Sequence, residues 1–258
     1  MDKYNKMPPI AVIGGTGLYE FIENSEKEIV ETPYGKVEIL KGKINGKEIF
    51  FINRHGKSHT IPPHKINFRA NIFALHKLDV QRIIGVCSVG VINKKIKLDN
   101  LIVINDFFDL TDATTFYDNK AVHVDMTKPY CPELNDIILK SFKESNVPAC
   151  TGSYACTKGP RLETPLEIKI FKQLGCDVVG LTSVPEAVLS RELGICYSTI
   201  AVPGNYASGL QEKLAASEIK EEMKNKIDNL KRILPEIIEK IPEERNCICK
   251  DALSDSEL

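Results

Sequence analysis

This sequence lacks both an excess of charge of either sign and any long apolar run, and each absence excludes a class of partner. Lys and Arg number 34 against 35 Asp and Glu, a formal net charge of −1, which removes the electrostatic basis for holding nucleic acid or an anionic membrane. The longest apolar stretches, such as 101–104, are far shorter than a bilayer-spanning segment. Residues 1–8 are polar, with Lys3 and Lys6, and contain no apolar core of a secretory leader. A soluble, cytoplasmic chain is expected, with neither nucleic acid nor membrane as partner.

Metal and nucleotide signatures are missing too. There is no H-E-x-x-H and no Cys-x-x-Cys, so neither a metal nor a cofactor is expected. Gly15-Thr16-Gly17 begins like a dinucleotide loop, but the third glycine of that pattern falls on Glu20. Gly56-Lys57-Ser58 matches the tail of a phosphate-binding P-loop, yet the earlier glycine falls on Phe51. The run Gly85-Val86-Cys87-Ser88-Val89-Gly90 is one residue off a nucleophile elbow. Of eight cysteines, six (Cys87, Cys131, Cys150, Cys156, Cys176 and Cys196) are scattered and read as small core residues. Cys247-Ile248-Cys249 stands apart, either as a terminal disulfide of the kind hyperthermophiles form inside cells or as two reduced thiols.

What is present is an alternation of strands and helices. A length of 258 residues suits one large domain, with a polar extension at 1–8 and a charged tail at 243–258. The apolar run 9–13 meets the glycine turn 14–17 as a strand would, and 37–53 reads as a strand pair about Asn45-Gly46. Strands are expected at 82–88, 100–105, 177–181 and 195–202, and helices at 66–78, 134–142, 164–174 and 185–193. Pro185 and Glu186 suit the first turn of the last of these. Ile219, Met223, Ile227, Leu230, Leu234 and Ile238 form the stripe of a long amphipathic helix, which Pro235 is expected to kink or break. The alternation implies an α/β domain with its site at the C-terminal ends of the strands.

One segment concentrates polar chemistry. Four of the five histidines (His55, His59, His64 and His76) lie between residues 55 and 76, and Arg54 and His55 directly follow the strand-like run 48–53. A guanidinium fork at a strand end suits phosphate or carboxylate oxygens, with the adjacent imidazole as a second donor.

Taken in order, several short motifs resemble the trimeric class of purine nucleoside phosphorylases, most closely its methylthioadenosine phosphorylase branch. They are Ile13-Gly14-Gly15-Thr16-Gly17-Leu18, Thr32-Pro33-Tyr34-Gly35, Arg54-His55-Gly56, His59-Thr60-Ile61 and the stretch 67–75. Further on come Phe116-Tyr117-Asp118, His123, Pro129-Tyr130-Cys131-Pro132, Gly159-Pro160-Arg161, the stretch 182–186 and Gly194-Ile195-Cys196-Tyr197. The resemblance covers about 9–206. It implies a single-domain nucleoside phosphorylase fold, with a central mixed twisted sheet flanked by helices, assembled as a homotrimer or a hexamer of two trimers. The implied reaction is attack of inorganic phosphate, a co-substrate, on C1′ of a purine nucleoside.

Carried over residue by residue, the family pattern places phosphate on Thr16, Arg54, His55 and Thr182, with the backbone of the turns at 14–17 and 87–90. Relatives carry Thr or Asn where this chain has Cys87, so Ser88 or main chain is expected to take over part of that role, a thiol being a weak donor. Leu181, where relatives have Met, is expected beside the ribose, and Leu162 in the substrate pocket. His123 is expected to reach the 5′ group from a neighbouring subunit, and Ile219 to close that pocket. Adenine-using relatives have an aspartate at Asn205, a second aspartate at Ala207 and a small hydroxyl residue at Glu163. Ionised Glu163 accepts from the N1–H of a 6-oxopurine and repels the bare N1 of adenine, while the Asn205 amide can donate to N7 or O6. Glu163 can also be read as a carboxylate at the N-terminus of the 164–174 helix. Glu163 and Asn205 are therefore the candidate catalytic residues, and 5′-methylthioinosine is the expected substrate, with inosine and guanosine as further ones. Methylthioadenosine phosphorolysis is the alternative of the same class, and a non-catalytic nucleoside sensor the alternative of a different one.

Overall fold

The N-terminal apolar run forms strand β1 (Ile10–Gly14), buried at all five positions. Its side chains alternate between two cores, Ala11 and Ile13 in one, Ile10 and Val12 in the other, as befits a strand covered on both faces. The computed structural model describes residues 8–15, 18, 22, 25–212, 216–254 and 256. The later strands are β2 (Glu26–Thr32), β3 (Gly35–Ile44), β4 (Lys47–Asn53), β5 (Arg82–Val91), β6 (Leu101–Asp109), β7 (Ala149–Cys156), β8 (Val178–Gly180) and β9 (Cys196–Tyr206). The helices are α1 (Phe68–Lys77), α2 (Pro132–Glu144), α3 (Pro165–Gln173), α4 (Ser183–Glu192) and α5 (Ala216–Lys240).

All nine strands join one mixed sheet in the order β2-β3-β4-β1-β5-β8-β7-β6-β9. Strand β9 also pairs back onto β5, so β5, β8, β7, β6 and β9 close into a ring from which β1–β4 extend as a wing. Helices α1 and α4 pack against one face and α2 and α5 against the other. Strands β1, β4, β5 and β9 run parallel, which brings the ends of all four to the same edge. There the ladder between β5 and β9 slips by one residue, pairing Val89 with Pro203 but Gly90 with Asn205. A bulge of this kind re-aims the side chains beside it.

The expected elements recur with three differences. Strands β2 and β7 are additional: β2 is largely exposed, with only Val30 buried, and β7 is written in small residues such as Gly152 and Ser153, so neither has a strong apolar signature. Helix α5 runs through Pro235 instead of ending there. Loss of one backbone donor and the clash of the ring cost about 3 kcal/mol. Fully burying Leu234, Ile237 and Ile238, at ~1.5–3 kcal/mol each, outweighs that. The charged tail after residue 243 is also built into the body, through a 3-10 helix at Ile248–Asp251 and the buried Cys247, Cys249 and Ala252. Among the described residues no helix is long and apolar enough to cross a membrane.

Candidate active site

The parallel strand ends enclose a cavity of about 490 Å³. Strand β4 delivers Arg54 and His55, β5 delivers Cys87 and Ser88, the end of β8 delivers Leu181 and Thr182, and β9 delivers Asn205 and Ala207. Leu162 and Glu163, in the turn before α3, complete one wall.

Arg54 lines one part of the cavity and is held there by a dense set of contacts. Its backbone N–H donates to Gly14 O at 2.9 Å, which locks the chain as it leaves the strand. The guanidinium is buried and bidentate on Glu186 of α4, Nε to Oε1 at 2.5 Å and Nη2 to Oε2 at 2.8 Å. Nη1 donates to Val86 O at 2.8 Å and Nη2 also reaches Ile13 O at 3.4 Å. Of its five N–H groups these bonds engage four, and the fifth, on Nη1, lies beside the Gly15 turn. Burial alone would lower the affinity of Arg54 for its proton, but the Glu186 carboxylate more than offsets this and holds it above the usual range. Sequence reasoning assigned Glu186 to the helix N-terminus; its position is right, and the structure adds its partner.

His55 departs from expectation in what it can offer. Its Nδ1 lies 2.9 Å from Ile61 O. A carbonyl only accepts, so Nδ1 carries the proton and Nε2 is left as an acceptor. Burial, with Arg54 and His59 adding to it and the Ile61 bond opposing, brings the ring down to about 4. At neutral pH the ring is therefore an uncharged acceptor toward the cavity, not the second donor the sequence suggested.

Cys87 is buried, and burial pushes its thiol up to about 12 against the pull of Arg54. It stays protonated and donates weakly. Neighbouring Ser88 donates from Oγ to Met223 Sδ at 3.0 Å. Thr182 sits at the N-cap of α4, makes no side-chain cap bond, and passes its backbone N–H to Tyr154 Oη at 3.3 Å. Thr182 lines the cavity where α4 begins, and a helix N-terminus is a favourable setting for an anion.

At the other end, Glu163 is buried and accepts from Thr157 Oγ1 at 2.6 Å. The alternative role at the start of α3 is filled by others. Thr164 caps the helix and Glu167 closes the capping box, which leaves Glu163 to the cavity. Asn205 donates one amide N–H to Tyr206 O at 2.7 Å and retains a second.

Of the remaining expected residues, His123 alone can be placed, and it is not part of this cavity. Thr16 lies outside the described residues, as does the side chain of Ile219. His123 is exposed and does not line the cavity; its backbone N–H donates to Ser256 O at 2.8 Å. Met223, on the same stripe of α5 in the sequence, lines the cavity.

The model of the phosphorylase superfamily matches residues 9–239 of this chain. A probable 6-oxopurine nucleoside phosphorylase of Dictyoglomus turgidum is 46% identical over 255 residues, covering 95% of this chain and 97% of that protein. A probable S-methyl-5′-thioinosine phosphorylase of Methanocaldococcus jannaschii is 45% identical over 248 residues, covering 95% and 97%. Among solved structures, a methylthioadenosine phosphorylase from an Antarctic soil metagenomic library superposes with a TM-score of 0.90 at 31% identity, covering 98% of this chain and 93% of that one.

Proposed function

The chain belongs to the phosphorylase superfamily, and we propose that within it the preferred substrate is 5′-methylthioinosine, cleaved by phosphate to hypoxanthine and 5-methylthioribose 1-phosphate. It is a pentosyltransferase, and the reaction is phosphorolysis of 6-oxopurine nucleosides. A phosphate oxygen forms a bond to C1′ while the C1′–N9 bond breaks, and its electron pair leaves with the purine. Positive charge builds on the sugar in the transition state, so an anion on one side and a stabilised leaving base on the other lower the barrier.

Arg54, Thr182 and Ser88 are assigned to phosphate, with the described part of the glycine turn at Gly14-Gly15. His55, as a neutral acceptor, takes the hydroxyl of hydrogen phosphate and so orients the unprotonated oxygens toward C1′. Asn205 donates to N7 or O6 as negative charge develops on the base. One observation carries the choice of base: a buried carboxylate, Glu163, held by Thr157 within the cavity beside Asn205 and Ala207. It accepts from the N1–H of a 6-oxopurine and meets the lone pair of adenine with repulsion. A buried site built around such a bond discriminates by on the order of 10⁴. The apolar 5′ group is assigned to the Met223 side of the cavity, and His123 of a neighbouring copy is assigned to cover it.

An oligomer, trimer or hexamer, fits one more surface feature. Leu166, Ile170 and Leu174 follow each other one turn apart along α3 and its end, exposed at 66%, 44% and 57%, an apolar stripe that a partner subunit would cover.

The test is phosphate-dependent base release from methylthioinosine, methylthioadenosine and inosine, measured side by side. Preference for methylthioinosine supports both the base and the sugar assignments. Equal use of inosine removes the 5′ assignment alone, and preference for methylthioadenosine removes the role given to Glu163.

A further inference from the structure

Three stretches far apart in the chain converge at the end of the sheet remote from the cavity. Cys131 is the N-cap of α2, Cys196 opens β9, and Cys247 and Cys249 belong to the C-terminal segment around the 3-10 helix. All four are buried, and their sulfur atoms lie within 4.8 Å of one another. Cys196 Sγ and Cys247 Sγ are 3.3 Å apart, and all four are free thiols. Four thiolates bound tetrahedrally at about 2.3 Å to zinc stand about 3.8 Å apart. The observed spacing is close to that value, too tight for a polynuclear cluster and wider than the ~2.05 Å of a disulfide.

We propose that Cys131, Cys196, Cys247 and Cys249 bind one zinc(II) ion as a structural, four-thiolate site. The four thiols release four protons as four zinc–sulfur bonds form, and no electron is transferred. Two ligands are fixed by the body of the protein: Cys131 N–H donates to Tyr197 O at 2.8 Å and Cys196 N–H to Gln81 O at 3.0 Å. The other two come from the C-terminal segment, so the ion clips that segment to the sheet.

The site would carry a net charge of −2, and a compensating cation lies beside it. Arg82 is the ladder partner of Cys196 on β5, is 1% exposed, and has a buried Nε without a hydrogen-bond partner. Its Nη2 donates to Glu244 O at 2.7 Å, tying the same C-terminal segment to β5. The anchored segment leads on to Ser256, whose carbonyl accepts from the His123 backbone, so the clip also supports the His123 loop. Reading Cys247-Ile248-Cys249 alone could not show this, because its two partners are contributed by α2 and β9.

The experiment is metal analysis of the full-length protein purified without chelator, followed by anaerobic reconstitution. The expected result is one zinc per chain that survives dialysis, is released when a mercurial blocks the thiols, and is lost in the Cys247→Ser/Cys249→Ser double variant. Thermal stability should fall by several degrees on that loss. Should the double variant fail to fold, cobalt(II) added to the metal-free wild type decides: intense visible bands of tetrahedral cobalt thiolate are expected. The proposal is overturned if zinc stays well below one per chain after reconstitution under reducing conditions, or if the double variant retains it. It is equally overturned if the unreduced chain, as purified, has these four sulfurs in disulfides, each bond lowering its mass by two hydrogens.

Discussion

Glu163 places a buried carboxyl group in the wall of the cavity, and on our assignment the atom it meets there depends on the base. A charge-assisted bond from the N1–H of hypoxanthine to this group would be worth about 1.5–3 kcal/mol. Glu163→Gln removes the charge and keeps the shape. On our assignment kcat/KM for methylthioinosine falls by roughly 10- to 100-fold, corresponding to that energy, while methylthioadenosine is used no worse than before. An equal fall for both substrates would show that Glu163 only supports the wall. His55 allows a second prediction at this scale. Its native value of about 4 lies below the ~6.5 of a free imidazole. Between these values the unfolded chain binds a proton that the native ring refuses, so stability falls as pH drops from about 6.5 toward 4 and is unaffected above. Urea midpoints at pH 7.5 and 5 should therefore differ more for the wild type than for His55→Gln. Equal acid losses would refute the assignment. The carboxyl group at Glu163 and the amide at Asn205 could be read directly from the sequence. The tautomer of His55 could not, since it depends on a carbonyl six residues away that only the folded loop brings to it.

At the scale of elements, the question is what holds Arg54 still. A buried relay runs through one helix, one strand and a loop. Tyr130 Oη lies 3.0 Å from Ser183 Oγ, Ser183 Oγ lies 2.8 Å from Thr199 Oγ1, and Thr199 Oγ1 donates to Tyr197 Oη at 3.2 Å. Tyr197 Oη then donates to Glu186 Oε2 at 2.7 Å, and Glu186 grips the guanidinium. The close approach of Tyr197 requires Gly85 on β5, where a Cβ would lie 2.2 Å from the phenolic oxygen. Glu186→Gln should destabilise the protein by roughly 3–5 kcal/mol, because it strands a buried charge, and raise the KM for phosphate. Tyr197→Phe removes only one donor to the carboxylate and should show a smaller effect of the same sign. If Glu186→Gln leaves both quantities unchanged, the pair does not position Arg54. Helical and strand periodicity revealed most of these elements, while β2 and β7 escaped because edge exposure and small residues weaken the apolar pattern. The continuity of α5 through Pro235 escaped for a different reason. It is decided by packing against the sheet, which a local rule does not include.

For the molecule as a whole, one chain forms the cavity we assign to phosphate and base but leaves His123 exposed and outside it. If a neighbouring copy supplies this histidine, active sites are shared. Mixing Arg54→Ala with His123→Ala subunits, after dissociation and reassembly, should then restore activity toward methylthioinosine, since some sites combine an intact Arg54 with an intact His123. No recovery in mixed oligomers would mean that each chain works alone. The sequence by itself determined the α/β alternation, the apolar stripe of α5, the family motifs and the chemical identity of the candidate groups that line the cavity, because these depend on local spacing and residue type. Only the tertiary structure decided which groups face one another. It gave Arg54 its carboxylate, freed Glu163 from the helix cap and placed Met223 in the cavity. It also gathered Cys131 and Cys196 to Cys247 and Cys249. Each is a contact between segments distant in the chain, set by strand order and helix packing, and no local pattern encodes it.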